Sequence, residues 1–395
     1  MRLLMVVQRY GPDVFGGAEA YARQLATRLA ARGHVVEVLT SCARDYVTWA
    51  NHYAAGTEAM EGVTVHRLPT QIERTGLAAD LDLRMFMSPP WLAPHMQREW
   101  MRQQGPWLPG LVPWMRQYSG DYDANIFVTY LYYTAWAGLP AAQAPSILHP
   151  TAHDELPAYL PLYDQLFRFP RALAYLTPEE GEFVRQRFRA KQPSIVTGIG
   201  IDLDRPRDAA AFRARHGLGD RPYLVSVGRV DPGKGSRELF EFFARYKQRH
   251  PGNLALVYIG ETIYPLPAHD DVVMTGFVSD EEKDAGVRGA EILVQPSFFE
   301  SFSLVLAEAW ADGKPALVQG RSPVLVGQAR RSGGGLPYRG YAEFEAGLDM
   351  LLEDPGLRRE MGAAGQAHVR ARYAWDHVLG EYEDFALRLA TPARV

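Results

Sequence analysis

Cysteine is almost absent from these 395 residues: Cys42 stands alone. A single cysteine excludes an intrachain disulfide and any cysteine-built metal site, so a reducing compartment, the cytoplasm, is expected. No apolar run is long enough to span a bilayer. The stretch Leu3 to Gln8 is too short for a secretory signal and has no small-residue cleavage site after it. Charge of one sign is also lacking, since 42 Lys and Arg face 46 Asp and Glu for a formal net charge of -4. That balance removes any general pull toward nucleic acid, and no basic stripe or stacking module replaces it. There are no internal repeats or low-complexity tracts to suggest a solenoid.

What remains is a soluble globular composition, 47% hydrophobic and 22% charged, on a chain whose length suits two domains of near-equal size. Leu3 to Val7 predicts a buried strand, Gly11 to Gly17 a glycine-rich loop, Ala18 to Arg32 an amphipathic helix closed by Gly33, and His34 to Thr40 the next strand. Such a unit opens a parallel doubly wound sheet, which binds ligands at the carboxyl ends of its strands. Gly16 and Gly17 would let backbone approach a ligand closely, although they do not form the dinucleotide fingerprint. Strand patterns return at Val63 to Leu68, Asn125 to Tyr130 and Pro145 to His149, the last entering the polar loop Pro150 to Glu155. In that loop His153 would hydrogen-bond a sugar hydroxyl with Asp154 orienting its ring, or Asp154 would cap the following helix. His149 fits a strand-end core position. Thr70 to Gly120 departs from regular alternation and carries Trp91, Trp100, Trp107 and Trp114. Aromatics packed onto the core explain it, as does an acceptor-binding lid or a lipid-facing surface.

Gly198 to Asp202, with two pattern-breaking glycines, predicts a linker between domains at 1–200 and 201–374. In the second domain the runs Tyr223 to Val227, Leu254 to Gly260, Val272 to Thr275, Glu291 to Gln295 and Pro315 to Val318 alternate with helices or turns. The loop Gly228 to Ser236 meets the first seven positions of the P-loop through Gly228, Gly233 and Lys234, but Gly235 stands where the magnesium-binding hydroxyl belongs. Arg229 and Lys234 then suit a diphosphate, or form a surface basic pair. The stretch Pro296 to Pro315 is central, predicting a loop bearing Glu300 and a helix from Phe302 bearing Glu308. The unpartnered amides at that junction, Ser301 to Val305, form a phosphate cradle at the positive end of the helix. Each carboxylate would reach one end of an elongated ligand such as a nucleoside diphosphate sugar. Taken alone the pair is more plainly a loop charge and a solvated helix face; the neighbouring motifs overturn that reading. Phe277 and Val278 close a strand and would offer backbone groups to a base. The D-x-D pairs Asp80 and Asp82, Asp121 and Asp123, and Asp202 and Asp204 follow no well-defined strand, so no metal site is expected.

On the Gly16-Gly17-Ala18-Glu19 loop, the Gly198 to Asp202 linker, Gly228-Arg229 with Lys234-Gly235, and the carboxylate pair with Gly313 and Pro315, the chain resembles a retaining glycosyltransferase of GT-B fold, family 4. The resemblance spans nearly the whole sequence. It implies an α/β fold of two Rossmann-like, doubly wound parallel-sheet domains facing a central cleft, with a helix at 375–390 packing back on the first domain. It implies that Arg229 and Lys234 bind the donor diphosphate, Glu308 the ribose hydroxyls and Glu300 the transferred sugar. Gly16 and Gly17 would border the donor, His153 would lie near the reacting carbon, and Phe277 and Val278 beside the base. The donor implied is a UDP- or GDP-sugar, with no other cofactor. The acceptor would be a hydroxyl of a glycan or lipid-linked glycan in cell-surface polysaccharide biosynthesis, with peripheral contact at the inner membrane face if the acceptor is lipid-linked. A phosphorylase-like enzyme and a catalytically silent partner of a glycan synthase are the rivals. Relatives usually carry glycine where Ser303 stands, and the Trp-rich insertion is longer than in a minimal member.

Overall fold

The computed structural model describes residues 1–72, 74, 87, 93–203 and 208–390. Trp91, Asp80, Asp82 and Asp204 lie outside the described residues. The chain divides into two compact units, one of Met1–Thr197 with the chain from Leu379 onward, the other of Gly198–Val378.

The first unit is built on eight strands: β1 (Arg2–Val6), β2 (Val35–Ser41), β3 (Gly56–Met60), β4 (Val63–Leu68), β5 (Ala124–Val128), β6 (Ser146–His149), β7 (Ala172–Tyr175) and β8 (Ser194–Val196). Their order is β3-β4-β2-β1-β5-β6-β7-β8, parallel throughout except for the β3–β4 hairpin. The central strands are apolar over their length because helices cover both faces, which leaves no solvent side to mark by alternation. The sheet reverses its winding between β1 and β5. Helices Pro94–Gln104 and Leu111–Tyr118 come from the Trp-rich stretch. Trp100 is buried in the core and Trp107 and Trp114 pack against it, so these three tryptophans serve packing. The C-terminal helix, Trp375–Ala390, returns to this unit. Tyr382 Oη sits 3.1 Å from Nε2 of His149, whose Nδ1 lies 3.0 Å from Tyr21 Oη. Burial pulls the His149 imidazole down to about 3, so the ring is a neutral core residue.

The second unit has six parallel strands: β9 (Tyr223–Val227), β10 (Ala255–Ile259), β11 (Val272–Met274), β12 (Ile292–Gln295), β13 (Ala316–Gln319) and β14 (Gly335–Tyr338). Their order is β11-β10-β9-β12-β13-β14, with Ile292 opposite Leu224 and Leu293 opposite Val225. Winding reverses between β9 and β12, so the loops leaving these two strands flank a topological switch point, where open α/β sheets bind ligands. Those loops are Gly228 to Lys234 and Pro296 to Ser303.

The glycines read from sequence as a linker have a packing role. A Cβ on Gly198 would lie 2.6 Å from the Tyr373 ring and one on Gly200 2.1 Å from that of Trp375. Ile201 also pairs with Ala374. The segment is therefore held against the chain's later turn, not loose. Among the described residues no helix is long and apolar enough to cross a membrane.

Candidate functional site

The second unit brings Arg229, Lys234, Glu300 and Glu308 onto two adjoining loops and one helix. Gly228, with φ 136, lets the chain leave β9 sharply. Asp231 then caps a single 3-10 turn, its carboxylate accepting from Lys234 N at 3.0 Å. Gly235 follows at φ 70, and a Cβ there would lie 2.1 Å from the carbonyl oxygen of Pro296. This is why the P-loop hydroxyl position is glycine: the turn is pressed against the backbone leaving β12, which brings Lys234 to Glu300. Gly235→Ala is expected to lose more than about 2 kcal/mol, from left-handed backbone and a backbone clash. Gly252→Ala, at an open position, would cost little, and thermal unfolding of the two variants compares them.

Lys234 Nζ donates to Glu300 Oε1 at 2.9 Å, with the Glu300 side chain 12% exposed. Arg229 is half-exposed, its Nε 3.6 Å from Asp231 Oδ2. The helix begins at Leu304, not Phe302, because Ser303 takes φ 73 as its N-cap. Left-handed backbone at that position favours glycine. Ser303 instead anchors inward, accepting from Gln295 Nε2 at 2.8 Å, and its own side chain makes no cap hydrogen bond. The first-turn amides of Leu304 and Val305 thus keep their capacity for an anion. The Phe302 side chain is buried and packs edge-on against Tyr373, so any part this residue takes in the expected amide cradle is through its backbone. Ser301 stays half-buried at the junction. Phe277 is exposed and Val278 half-buried just beyond β11, with Gly276 O accepting from Gly260 N at 3.0 Å.

Glu308 was expected; its partner was not. Lys283 Nζ, on the helix Asp280–Gly289, donates to Glu308 Oε1 at 3.0 Å and lies 3.4 Å from both Asp280 and Asp284. These carboxylates hold the half-buried ammonium well above the usual lysine range, against its desolvation. Glu308 Oε2 is buried with no hydrogen-bond partner among the described residues. It is a fixed acceptor, suited to a hydroxyl donor. Within Asp-Glu-Glu-Lys-Asp, Lys283 has the sequence signature of a solvated helix turn, and nothing there marks it.

In the first unit Gly16, at φ 153, tightens the loop after β1, and a Cβ on it would strike Glu19. Glu19 is buried, bonded by Arg9 and, at 2.8 Å, by Gln8 Nε2. Gly17 starts the helix Gly17–Ala31 with open space around it. His153 follows β6, with Nδ1 3.5 Å from Glu155 Oε2. Asp154 fills neither of its expected roles: it accepts from Tyr159 Oη at 2.6 Å and caps nothing. Asp121 and Asp123 sit before β5, at the amino end of the strands, and Asp123 binds Arg2 N at 2.7 Å.

Residues 208–368 match the family Glycosyl transferases group 1, and residues 16–200 match the Glycosyl transferase 4-like domain. Both halves of the chain thus belong to glycosyl transferase families, the second to group 1. It is similar to a D-inositol 3-phosphate glycosyltransferase of Nocardia farcinica, 29% identical across 92% of this chain and 82% of that one. Over 47% of the chain and 54% of the relative, it is 31% identical to a GDP-mannose-dependent alpha-(1-6)-phosphatidylinositol monomannoside mannosyltransferase of Mycobacterium tuberculosis. In fold this glycosyl transferase is similar to the sucrose-phosphate synthase of Thermosynechococcus elongatus, with a TM-score of 0.71 at 18% identity and 98% of both chains covered. The architecture is thus that of a GT-B glycosyltransferase, two parallel-sheet domains in one chain.

Proposed function

We propose that the second unit holds a UDP- or GDP-sugar and that this enzyme transfers the sugar, with retained anomeric configuration and without a metal ion, to a hydroxyl of a glycan or lipid-linked glycan. One observation carries the reading: at the switch point, Lys234 is paired with Glu300 beside the free first-turn amides, while Glu308 presents an unpartnered buried oxygen further along the same helix. A diphosphate suits Arg229, Lys234 and the amides of Leu304 and Val305; ribose hydroxyls suit Glu308; the sugar suits Glu300. In the reaction the bond from anomeric carbon to phosphate oxygen breaks, and the acceptor oxygen bonds the same carbon on the same face. Its proton passes to the departing phosphate oxygen, so no protein base is required. Lys234 and Arg229 stabilise the charge growing on that phosphate, the largest kind of term available to an enzyme.

The named relatives support a nucleotide-sugar donor, and their inositol-based acceptors belong in the acceptor panel beside glycans. Thermal stabilisation by a panel of nucleotide sugars, followed by transfer assays with and without chelator, tests the reading. One donor is expected to stabilise the chain and to be used equally well in chelator. Loss of rate in chelator removes the metal-free mechanism. Sugar release from donor alone points to a hydrolytic or phosphorylase-like enzyme, and normal turnover in Glu300→Ala removes the assignment of that residue.

A further inference from the structure

We propose that Lys283 is the positioning residue for Glu308, holding Oε1 so that the carboxylate meets the hydroxyls of the ligand in one fixed orientation. The inference rests on the donor-site reading above and deepens it: Glu308 makes the ribose contact, and a lysine on another helix sets it. Lys283 Nζ donates to Glu308 Oε1 at 3.0 Å and lies 3.4 Å from Oδ1 of Asp280 and of Asp284. These carboxylates are not equivalent. The Asp280 side chain is 85% exposed, so its pairing is screened by water and adds little. Asp284 is buried and Glu308 half-buried, and the ammonium bridges these two across two helices. Without it they would face each other unneutralised, an arrangement that turns the more mobile of them away.

The helix that carries Lys283 is itself held in place. Ser279 caps it, the hydroxyl oxygen accepting from Glu282 N at 3.2 Å. Glu282 accepts from Arg215 Nη1 at 2.6 Å and lies 2.9 Å from His216 Nε2, which ties the helix to its neighbour Ala209–Arg215. A Cβ on Gly286 would lie 2.5 Å from Ile259 Cδ1 and 2.8 Å from the Phe212 ring, so the helix lies close against β10 and cannot shift without a clash. Lys283 therefore reaches Glu308 from a fixed frame. A glutamate side chain loses much rotamer freedom when it is ordered by a ligand. Here the lysine orders it beforehand, which raises ligand affinity without a contact of its own.

Calorimetric titration of the full chain with UDP and GDP reads the effect. Lys283→Met keeps the apolar stem and removes the ammonium; it is expected to weaken the preferred nucleotide about ten- to a hundredfold, the usual size of one hydrogen bond to a charged group. Lys283→Arg should restore most of that affinity. In transfer assays the loss should fall on donor KM, with kcat at saturating donor within about twofold of wild type. A Lys283→Met, Glu308→Ala double variant should bind no more weakly than Glu308→Ala, because the lysine acts only through that carboxylate. Normal affinity in Lys283→Met, or losses that add in the double variant, overturns the proposal. Nitrogen NMR of the Lys283 ammonium, with Lys283→Arg identifying the signal, needs no ligand and no charge-removing lysine variant. A slowly exchanging signal is expected in the wild type and a broadened one in Glu308→Gln, and the same signal in both proteins overturns the proposal. If the wild type binds neither nucleotide the donor reading fails, while the ammonium signal still decides whether the lysine holds Glu308.

Discussion

Lys234→Ala is expected to lower kcat by about 10²–10³-fold, the loss seen when one donor to developing transition-state charge is removed, and to leave thermal stability near that of the wild type. The two effects separate because the Lys234 side chain is 38% exposed and its pairing with Glu300 is partly solvated. Ion pairs in such a setting contribute at most about 1 kcal/mol to folding. The same ammonium beside a bound diphosphate meets a charge that grows as the sugar departs, where preorganisation is worth far more. Glu300→Ala should also cut kcat strongly, and the double variant should fall short of the product of the two losses, since the residues share one contact and act as a unit. Single-turnover rates with the donor identified by thermal stabilisation give all three numbers. A Lys234→Ala enzyme with normal kcat and a lowered unfolding midpoint would make the lysine a structural residue.

The second large effect is on folding. Glu180→Ala is expected to destabilise the first unit by about 3 kcal/mol or more, because at least two buried N–H groups, those of Ala152 and Leu176, would lose their acceptor at about 1–3 kcal/mol each. Glu180 also closes a capping arrangement at the helix Pro178–Phe188, where Thr177 Oγ1 accepts from Glu180 N at 3.2 Å. Burial raises the carboxyl to about 8, against the pull of the N–H groups of Leu176, Ala152, Thr177 and Thr151 toward the ionised form. The sign follows from linkage: with the folded value above the ordinary 4.5, the stability tied to the protonated form is complete below 4.5 and drains away as pH rises through about 8. Urea unfolding followed by tryptophan fluorescence at pH 5, 7 and 9 measures both effects, since six of the eight tryptophans lie in the first unit. A variant as stable as wild type, with the same pH slope, would contradict this account of the loop.

Much of this architecture is legible in residue order. The alternation of apolar runs with amphipathic ones marks most strands of both sheets, and the candidate residues stand in plain view, Lys234 and Glu300 in the loops after β9 and β12 and Glu308 in the helix that follows the second. The strands that escape notice do so for physical reasons. β14 contains Gly335 and Pro337, and as an edge strand it can spare a backbone donor that a central strand cannot. β7 is four residues long and half alanine, with no β-branched residue to signal it. In the site, Lys283 hides in a run of charge that looks solvated, because burial of a single lysine leaves no periodic trace. Glu155, whose Oε2 comes within 3.5 Å of His153 Nδ1, hides behind Asp154, the carboxylate that adjacency in sequence puts forward. Ser303 shows the reverse. The φ of 73 explains why glycine suits the position, and the bond from Gln295 shows what the serine supplies in return.

Calorimetric titration of the full chain with UDP, GDP and their sugar conjugates tests the donor site most directly, comparing wild type with Glu308→Ala and Glu300→Ala. One nucleotide is expected to bind the wild type, to bind Glu308→Ala more weakly both bare and sugar-loaded, and to bind Glu300→Ala normally when bare but without the gain the sugar provides. Wild-type protein that binds neither nucleotide, or two variants that bind every ligand as the wild type does, would contradict it.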